Sequence, residues 1–323
     1  MTIGIIGSGS IGQRHVRCLK DLGYTDVIAL RTYKGACKAL PENLDHVREY
    51  RCEEDFFAEK PNGIIIANPT SLHVGALQRC LERDIPVLVE KPLSHTAKNL
   101  DMLRVCDLKK VIVGLCLRFH PIVSAIQTFL TEQQSTFVKA RFYFGYYLPK
   151  WHPGIDYRQE YMGRRDLGGG ILRTMSHEID MMYVLLGPPA GVQGYVKKLS
   201  HLDIDVDDAV SLVFQYEHGG ICHIELDYIN PENAREGCLF LESGKLEYSF
   251  TPSQVIFTGY DGNQEVLFSE PEYDINDMYR AQMQDFIGFI ASGHSENCTF
   301  QQGAELVRLI EFVEKLELFQ EIV

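Results

Sequence analysis

Residues 2–15 read TIGIIGSGSIGQRH, and the fold follows from how that stretch is read. Thr2 to Ile6 is a short apolar run with β-branched residues that stops at a glycine, which predicts a buried strand. Gly7, Gly9 and Gly12 follow in G-x-G-x-x-G spacing. From Ser10 the pattern turns helical, with Ile11, Val16 and Leu19 as inward positions. Strand, tight turn and helix in that order is the setting in which this spacing marks a dinucleotide site rather than an ordinary glycine-rich turn. The first glycine permits the turn, the second lets the backbone approach a pyrophosphate, and the third lets helix and strand pack closely. The N–H groups at the helix start, around Ser10, Ile11 and Gly12, then suit phosphate oxygens.

The bulk properties narrow the class. A chain of 323 residues suggests about two domains. Its 45% hydrophobic and 23% charged residues are ordinary for a globular protein. No apolar run approaches the roughly 18 residues of a membrane helix, and the chain starts straight into a strand, so no signal peptide is expected. Nine scattered cysteines with no C-x-x-C pair suggest neither a disulfide framework nor a zinc site. No metal is expected, and a reducing cytoplasm fits. The net charge of −13 argues against a nucleic-acid surface.

Asp26 to Leu30 predicts a second strand. Folds of this kind that prefer NAD usually end it in Asp or Glu, which binds the ribose 2′-hydroxyl. Here Leu30 is followed by Arg31, Thr32, Tyr33 and Lys34. Arg31 and Lys34 suit a 2′-phosphate, the alternative being a solvated basic loop, so the expected cofactor is NADP ahead of NAD. Residues 35–60 show no clear pattern. Strands then follow at 63–67, 86–90 and 111–114, separated by helices predicted at 74–83 and 95–109, which means βαβ units and a parallel sheet. The second half changes character. Segments 137–148, 192–199, 208–217, 220–229, 236–242, 245–250, 254–259 and 264–268 read as strands, several alternating apolar with polar residues, and helices return at 275–291 and 302–320. The expected architecture is α/β: a doubly wound Rossmann domain over 1–120, and an α+β domain with an open, mostly antiparallel sheet over 121–323.

Four stretches carry a resemblance. The opening glycine motif, Asn68-Pro69-Thr70 with His73, Glu90-Lys91-Pro92 and Arg118-Phe119-His120-Pro121 occur in the order and spacing of the Gfo/Idh/MocA family, that of glucose–fructose oxidoreductase and inositol dehydrogenase. The chain resembles it again at Gly168-Gly169-Gly170 and His177-Glu178-Ile179-Asp180. The resemblance implies an NAD(P)-dependent oxidoreductase that moves hydride between nicotinamide and a sugar or sugar derivative. It places Gly7, Gly9, Ser10, Ile11, Gly12, Arg31, Thr32, Asn68, Pro69, Thr70, His73, Glu90, Lys91 and Arg118 around the cofactor. Lys91, at the end of a strand, would hydrogen-bond the oxygen of the reacting carbon, and partial burial would ready it for proton transfer. The resemblance also suggests a cis peptide before Pro92. Glu90 would anchor Lys91 or the cofactor ribose.

His177 is expected within one helix running from Ile171 to Leu186, with Thr174 and Asp180 on its face, and the three are expected at the substrate with Lys91. The resemblance makes His177 the second proton-handling residue. One departure stands out: many relatives carry an aspartate three residues before this histidine, and here Thr174 occupies that place. Threonine can hydrogen-bond a hydroxyl but does not take a proton at neutral pH. Catalysis then falls to Lys91 and His177, or the enzyme uses transient oxidation to drive a lyase or glycosidase reaction. A non-catalytic cofactor-binding sensor is the remaining alternative. Upstream, Trp151, Tyr157 and Arg158, with Arg164 and Arg165, form an aromatic and basic loop. That loop suits a ring-shaped, anionic substrate, such as a nucleotide-linked or acidic sugar. A homodimer or homotetramer is implied by the resemblance.

Overall fold

Ile3 and Ile5 are fully buried. Their strand, β1 (Ile3–Ile6), lies inside a six-stranded parallel sheet in the computed structural model, which describes residues 1–31, 40–295 and 297–316. After β1 the chain makes α1 (Ser10–Asp21), β2 (Val27–Leu30), β3 (Arg48–Tyr50), α2 (Glu53–Ala58), β4 (Gly63–Ile66), α3 (His73–Leu81), β5 (Val87–Glu90) and β6 (Val111–Gly114). The spatial order is β3-β2-β1-β4-β5-β6, the doubly wound arrangement, with its switch point between β1 and β4. Ile64 to Ile66, Val87 to Val89 and Val111 to Val113 are buried throughout, because helices cover both faces of such a sheet.

Two differences from the sequence reading have local causes. β3 is a three-residue edge strand, Arg48-Glu49-Tyr50, whose charged side chains hide any periodicity. The helix expected over 95–109 is not α-helical: the segment holds only short 3₁₀ turns at Lys98–Leu103 and Leu108–Lys110. Thr96 Oγ1 accepts from Asn99 N, and Asp107 Oδ1 accepts from Lys109 N, so side chains hold the starts of two separate short turns in place of one continuous helix.

Beyond residue 116 come α4 (Pro121–Gln133), β7 (Phe137–Gly145), α5 (Ile171–Thr174), α6 (His177–Leu186) and seven further strands. These are β8 (Gly191–Lys197), β9 (Ala209–Gln215), β10 (Ile221–Asp227), β11 (Ala234–Leu241), β12 (Gly244–Phe250), β13 (Ser253–Gly259) and β14 (Gln264–Ser269). All eight expected strands are present. They form one sheet in the order β14-β13-β12-β11-β7-β10-β9-β8, antiparallel except where β7 meets β10. Ala140, Phe142 and Phe144 of β7 are buried while Lys139 and Arg141 are exposed. The helix expected from 171 to 186 is broken: Met175 (φ −107, ψ 34) ends α5, and His177 opens α6.

The last helices are α7 (Ile275–Ser292) and α8 (Phe300–Val313). The chain divides into two compact units, Met1–Cys116 with Ile275–Arg308, and Leu117–Asp274 with the stretch from Leu309. The sequence reading assigns 275–308 to the second domain. In the structure α7 packs on α1, and its Ile290 and Phe286 fill the space over β4, where a Cβ on Gly63 would come within 2.3 Å of Ile290 Cδ1.

Candidate active site

The glycine turn after β1 is built for close approach. Gly7 has φ +100, and a Cβ there would lie 2.4 Å from Asn68 N. A Cβ on Gly12 would lie 2.1 Å from Gly7 O, so α1 can sit against the turn only with glycine at that position. Gly9 is different: a Cβ there meets nothing within 4 Å. Open space therefore faces the start of α1, where no side chain caps the helix among the described residues. First-turn N–H groups at such an end have no carbonyl partner of their own and suit an anion. Gln13 braces the turn by donating to Ser8 O at 3.1 Å. Beside Gly7, the buried Asn68 Oδ1 has no hydrogen-bond partner among the described residues, which is an acceptor awaiting a donor.

The loops after β4 and β5 are tied together. His73 is expected at the cofactor; instead it is buried with Nδ1 3.0 Å from Pro92 O and Nε2 2.8 Å from Asn68 O. Burial pushes its imidazole below the ordinary value, and a neutral ring donates only one of those bonds at a time. Its contacts are with backbone, so it ties the loops after β4 and β5 together. Glu90 is likewise taken up inside the protein: Oε1 is 2.7 Å from His15 Nε2, and Oε2 accepts from Lys91 N at 3.2 Å. The second contact reaches the Lys91 backbone. His15, fully buried on α1, was not singled out by the sequence. Its signal is its place one turn beyond Ile11 on the helix that opens at Gly9. Lys91 itself is half-buried, and the Lys91–Pro92 peptide is cis. Thr70 is buried and Pro69 partly exposed in the loop they share with Asn68. Arg31 is 3% exposed and its Nη1 lies 2.6 Å from Glu49 Oε1. Thr32 and Lys34 lie outside the described residues.

In the second unit, the stretch around His177 is held by charges. Arg118 is expected at the cofactor and Asp180 at the substrate; they hold each other, with Arg118 Nη2 to Asp180 Oδ1 at 2.5 Å and Nε to Oδ2 at 3.0 Å. Burial pushes the Asp180 carboxyl up, against the pull of Arg118. Glu178 Oε1 accepts from Arg235 Nε at 2.7 Å, and Arg173 donates to both carboxylate oxygens of Glu314 at 2.6 and 2.7 Å. Thr174 and His177 are buried among them. The triple glycine has a partner that sequence reasoning missed. Asp207 Oδ2 accepts from Leu172 N at 2.9 Å, and a Cβ on Gly170 (φ +112) would come within 2.2 Å of Asp207 Oδ1. Burial pushes the Asp207 carboxyl up to about 6.

The aromatic and basic loop is less anion-seeking than its composition suggests. Arg158 forks onto Asp156 at 2.8 Å through both Nε and Nη2, and Arg164 onto Asp166 at 3.0 and 2.6 Å. Arg165 donates to the Asp205 carbonyl. Trp151 packs its ring on Tyr146 and Phe144, with centroids 5.0 and 6.0 Å away, and Tyr157 OH receives Asp203 N at 3.4 Å. His152 Nδ1 lies 2.5 Å from Glu160 Oε1, a pairing that the sequence did not single out.

Two sequence families match this arrangement. Residues 1–115 match the profile described as "Oxidoreductase family, NAD-binding Rossmann fold", and residues 136–247 match "GFO/IDH/MocA C-terminal domain". The chain belongs to the Gfo/Idh/MocA family. It is an NAD(P)-binding oxidoreductase. Among curated Gfo/Idh/MocA relatives, D-xylose 1-dehydrogenase (NADP(+)) 2 of Haloferax volcanii is 22% identical, over 97% of this chain and 96% of its own. Among solved structures, UDP-N-acetylglucosamine 3-dehydrogenase GnnA from Acidithiobacillus ferrooxidans superposes with a TM-score of 0.77 at 18% identity, covering 97% of this chain and 96% of that one. Levoglucosan dehydrogenase in complex with NADH and levoglucosan gives 0.82 at 16% identity, with the same coverage. At these identities the structures share the fold.

The first unit fits the dinucleotide its family implies. The open face at Gly9, the uncapped start of α1 and the orphan Asn68 acceptor supply phosphate donors and a polar contact in one place.

Proposed function

We propose that this oxidoreductase is a sugar dehydrogenase in which Lys91 and His177 handle the substrate proton. The carrying observation is the buried Glu90–His15 pair, which fixes the Lys91 backbone at the end of β5, two strands from the glycine turn. When bound, the nicotinamide accepts or returns hydride. The chain supplies the rest. Gly9 leaves room for the pyrophosphate, and Lys91 is proposed to hydrogen-bond the oxygen of the reacting carbon and take or give its proton. His177 is proposed to assist at a sugar hydroxyl, a role supported by an imidazole's readiness to exchange protons near neutrality. Names of relatives support the substrate class: xylose, levoglucosan and UDP-N-acetylglucosamine are all sugars or sugar derivatives. Because Arg158 and Arg164 already face carboxylates, a neutral sugar or polyol is favoured over an acidic or nucleotide-linked one.

The test is NAD(P)H formation with a panel of neutral, acidic and nucleotide-linked sugars. Tight dinucleotide binding without turnover on any sugar would overturn the reading. Thr174, in place of a carboxylate, favours one second reading: product formed with no net NAD(P)H would show transient oxidation driving elimination or glycosidic cleavage.

Arg31 supports NADP as the better cofactor, with NAD also bound. The family membership supports a homodimer or homotetramer formed through the open face of the second sheet, which sedimentation would test. A cytoplasmic location is supported by the eight described cysteines, all free thiols. Among the described residues no helix is long and apolar enough to cross a membrane.

A further inference from the structure

We infer that Glu49, which belongs to none of the sequence motifs, sets the choice between NAD and NADP by holding Arg31. The inference rests on the reading of the first unit as the dinucleotide site. β2 and β3 run parallel with Ala29 opposite Glu49 and Leu30 opposite Tyr50, and Arg31 N donates to Tyr50 O at 2.9 Å. Side chains two apart on a strand share a face, so this register puts Arg31 on the face of Ala29 and Glu49. The pair closes at 2.6 Å, with the Arg31 side chain 2% exposed and Glu49 27% exposed. Arg31 thus stands at the carboxyl end of β2, where folds of this type read the ribose 2′ position.

A guanidinium this buried needs an anion beside it, because its charge has lost most of its water. Glu49 is an anion of that kind, from within the protein. A 2′-phosphate entering the same place competes with Glu49 for the guanidinium and is repelled by the carboxylate at short range, in surroundings that screen poorly. A 2′-hydroxyl suffers neither effect. Arg31 alone would strongly favour NADP; Arg31 held by Glu49 lets NAD compete. The acid missing from the end of β2 is in effect supplied from the neighbouring strand, with Arg31 as the intermediary. Glu49 is therefore a positioning and specificity residue, and its effect should show in binding rather than in the chemical step.

The experiment is calorimetric titration of NAD and NADP into the full chain and into Glu49→Gln, Glu49→Asp and Arg31→Ala, with melting curves to confirm folding. Glu49→Gln should raise the ratio of NADP to NAD affinity by about tenfold or more, almost wholly through tighter NADP binding. Glu49→Asp, one methylene shorter, should move it the same way by less. Arg31→Ala should lower the ratio. If Glu49→Gln folds and leaves the ratio unchanged while Arg31→Ala lowers it, the role of Glu49 is overturned and that of Arg31 stands. If Arg31→Ala changes neither affinity, the assignment of Arg31 to the 2′ position falls, and this inference with it. Should Glu49→Gln fail to fold, an unchanged ratio in Glu49→Asp overturns the proposal on its own.

Discussion

At the carboxyl end of the first unit's sheet, Glu90 and His73 reach backbone atoms, Lys91 N, Asn68 O and Pro92 O, and Glu90 also reaches the His15 side chain. Around His177 in the second unit, the buried charges reach one another, as Arg118 with Asp180, Arg235 with Glu178, and Arg173 with Glu314. The first arrangement fixes where the chain runs. A parallel sheet already aligns its strand ends, so a few side chains suffice to hold the loops. The second fixes how a broken helix is seated. α5 ends at Thr174 and α6 starts at His177; Arg118 and Arg235 hold α6 through Asp180 and Glu178, and Arg173 ties α5 to Glu314. Loss of a partner from one of these buried ion pairs should therefore act on stability, whereas loss of Lys91 or His177 should act on chemistry.

The largest effect expected is on turnover. Lys91→Ala should lower it by about 10²- to 10⁴-fold, the usual contribution of a general acid or base, with dinucleotide affinity little changed. His177→Ala should fall in the same range, and the double variant should lose less than the product, since groups acting together are not additive. Steady-state kinetics on the first sugar that turns over would decide. Near-parental turnover in His177→Ala would make that histidine structural and leave proton handling to the first unit alone.

The next effect is on folding. Arg118→Met leaves the Asp180 carboxylate buried without its partner, and removing one member of a buried pair costs about 3–5 kcal/mol. The double variant Arg118→Met with Asp180→Leu should recover much of that loss, because an apolar pair needs no compensation. Urea unfolding measures both. A cost near that of a surface pair, below about 1 kcal/mol, would break the contrast between the units.

The same contrast explains what could be read from the sequence. β1 and its glycine turn, the strands ending at Glu90 and Gly114 and all eight strands of the second sheet show in the apolar pattern, since period and turn chemistry are local. The Gly7, Gly9 and Gly12 spacing even carries its own geometry. What escaped depends on partners distant in sequence. His15 matters only because Glu90 arrives beside it across 75 positions. Arg31 reads as a cation awaiting a phosphate, but Glu49 lies against it from β3. The start of α5 is held from Asp207, which accepts from Leu172 N across 35 positions, and α7 joins the first unit because Gly63 leaves room for Ile290. Arg158 and Arg164 read as a basic cluster although each has its acid two residues away, a pairing that composition alone could have suggested.

A smaller effect tests the first unit's open turn. Gly9→Val should leave the melting temperature near that of the parent, because a side chain there projects into empty space. It should weaken both dinucleotides by about tenfold or more, by occupying the place of the pyrophosphate. Gly12→Val should instead unfold the turn, since its Cβ meets Gly7 O at 2.1 Å. Equal behaviour of the two variants would contradict the division of labour among these glycines.

The smallest effect concerns pH and the second unit alone. His120 caps α4 by accepting from Ile122 N on Nδ1 at 3.2 Å, and its ring packs on Tyr273 and Phe250, with centroids 4.3 and 4.6 Å away. Burial, helped by the nearby Arg235 charge, pushes its imidazole from 6.5 down to about 4. Between those values the unfolded chain binds a proton that the folded chain refuses, so this group's contribution to stability is full above 6.5 and is lost as pH falls toward 4. Protonation would also place an N–H on the atom that accepts from Ile122. His120→Asn keeps a capping acceptor and removes the titration. It should cost about 1 kcal/mol at pH 7, the scale of the ring packing on Tyr273 and Phe250 that it loses, and should flatten the fall in stability between pH 6.5 and 4. Asp207, pushed up to about 6, works in the opposite sense over part of the same window, since a buried carboxyl that holds its proton favours the fold at lower pH. Neither slope alone therefore identifies His120. The difference between variant and parent, taken from urea unfolding at half-unit pH steps, does so, and identical slopes would show that His120 titrates in the folded chain as it does in the unfolded one.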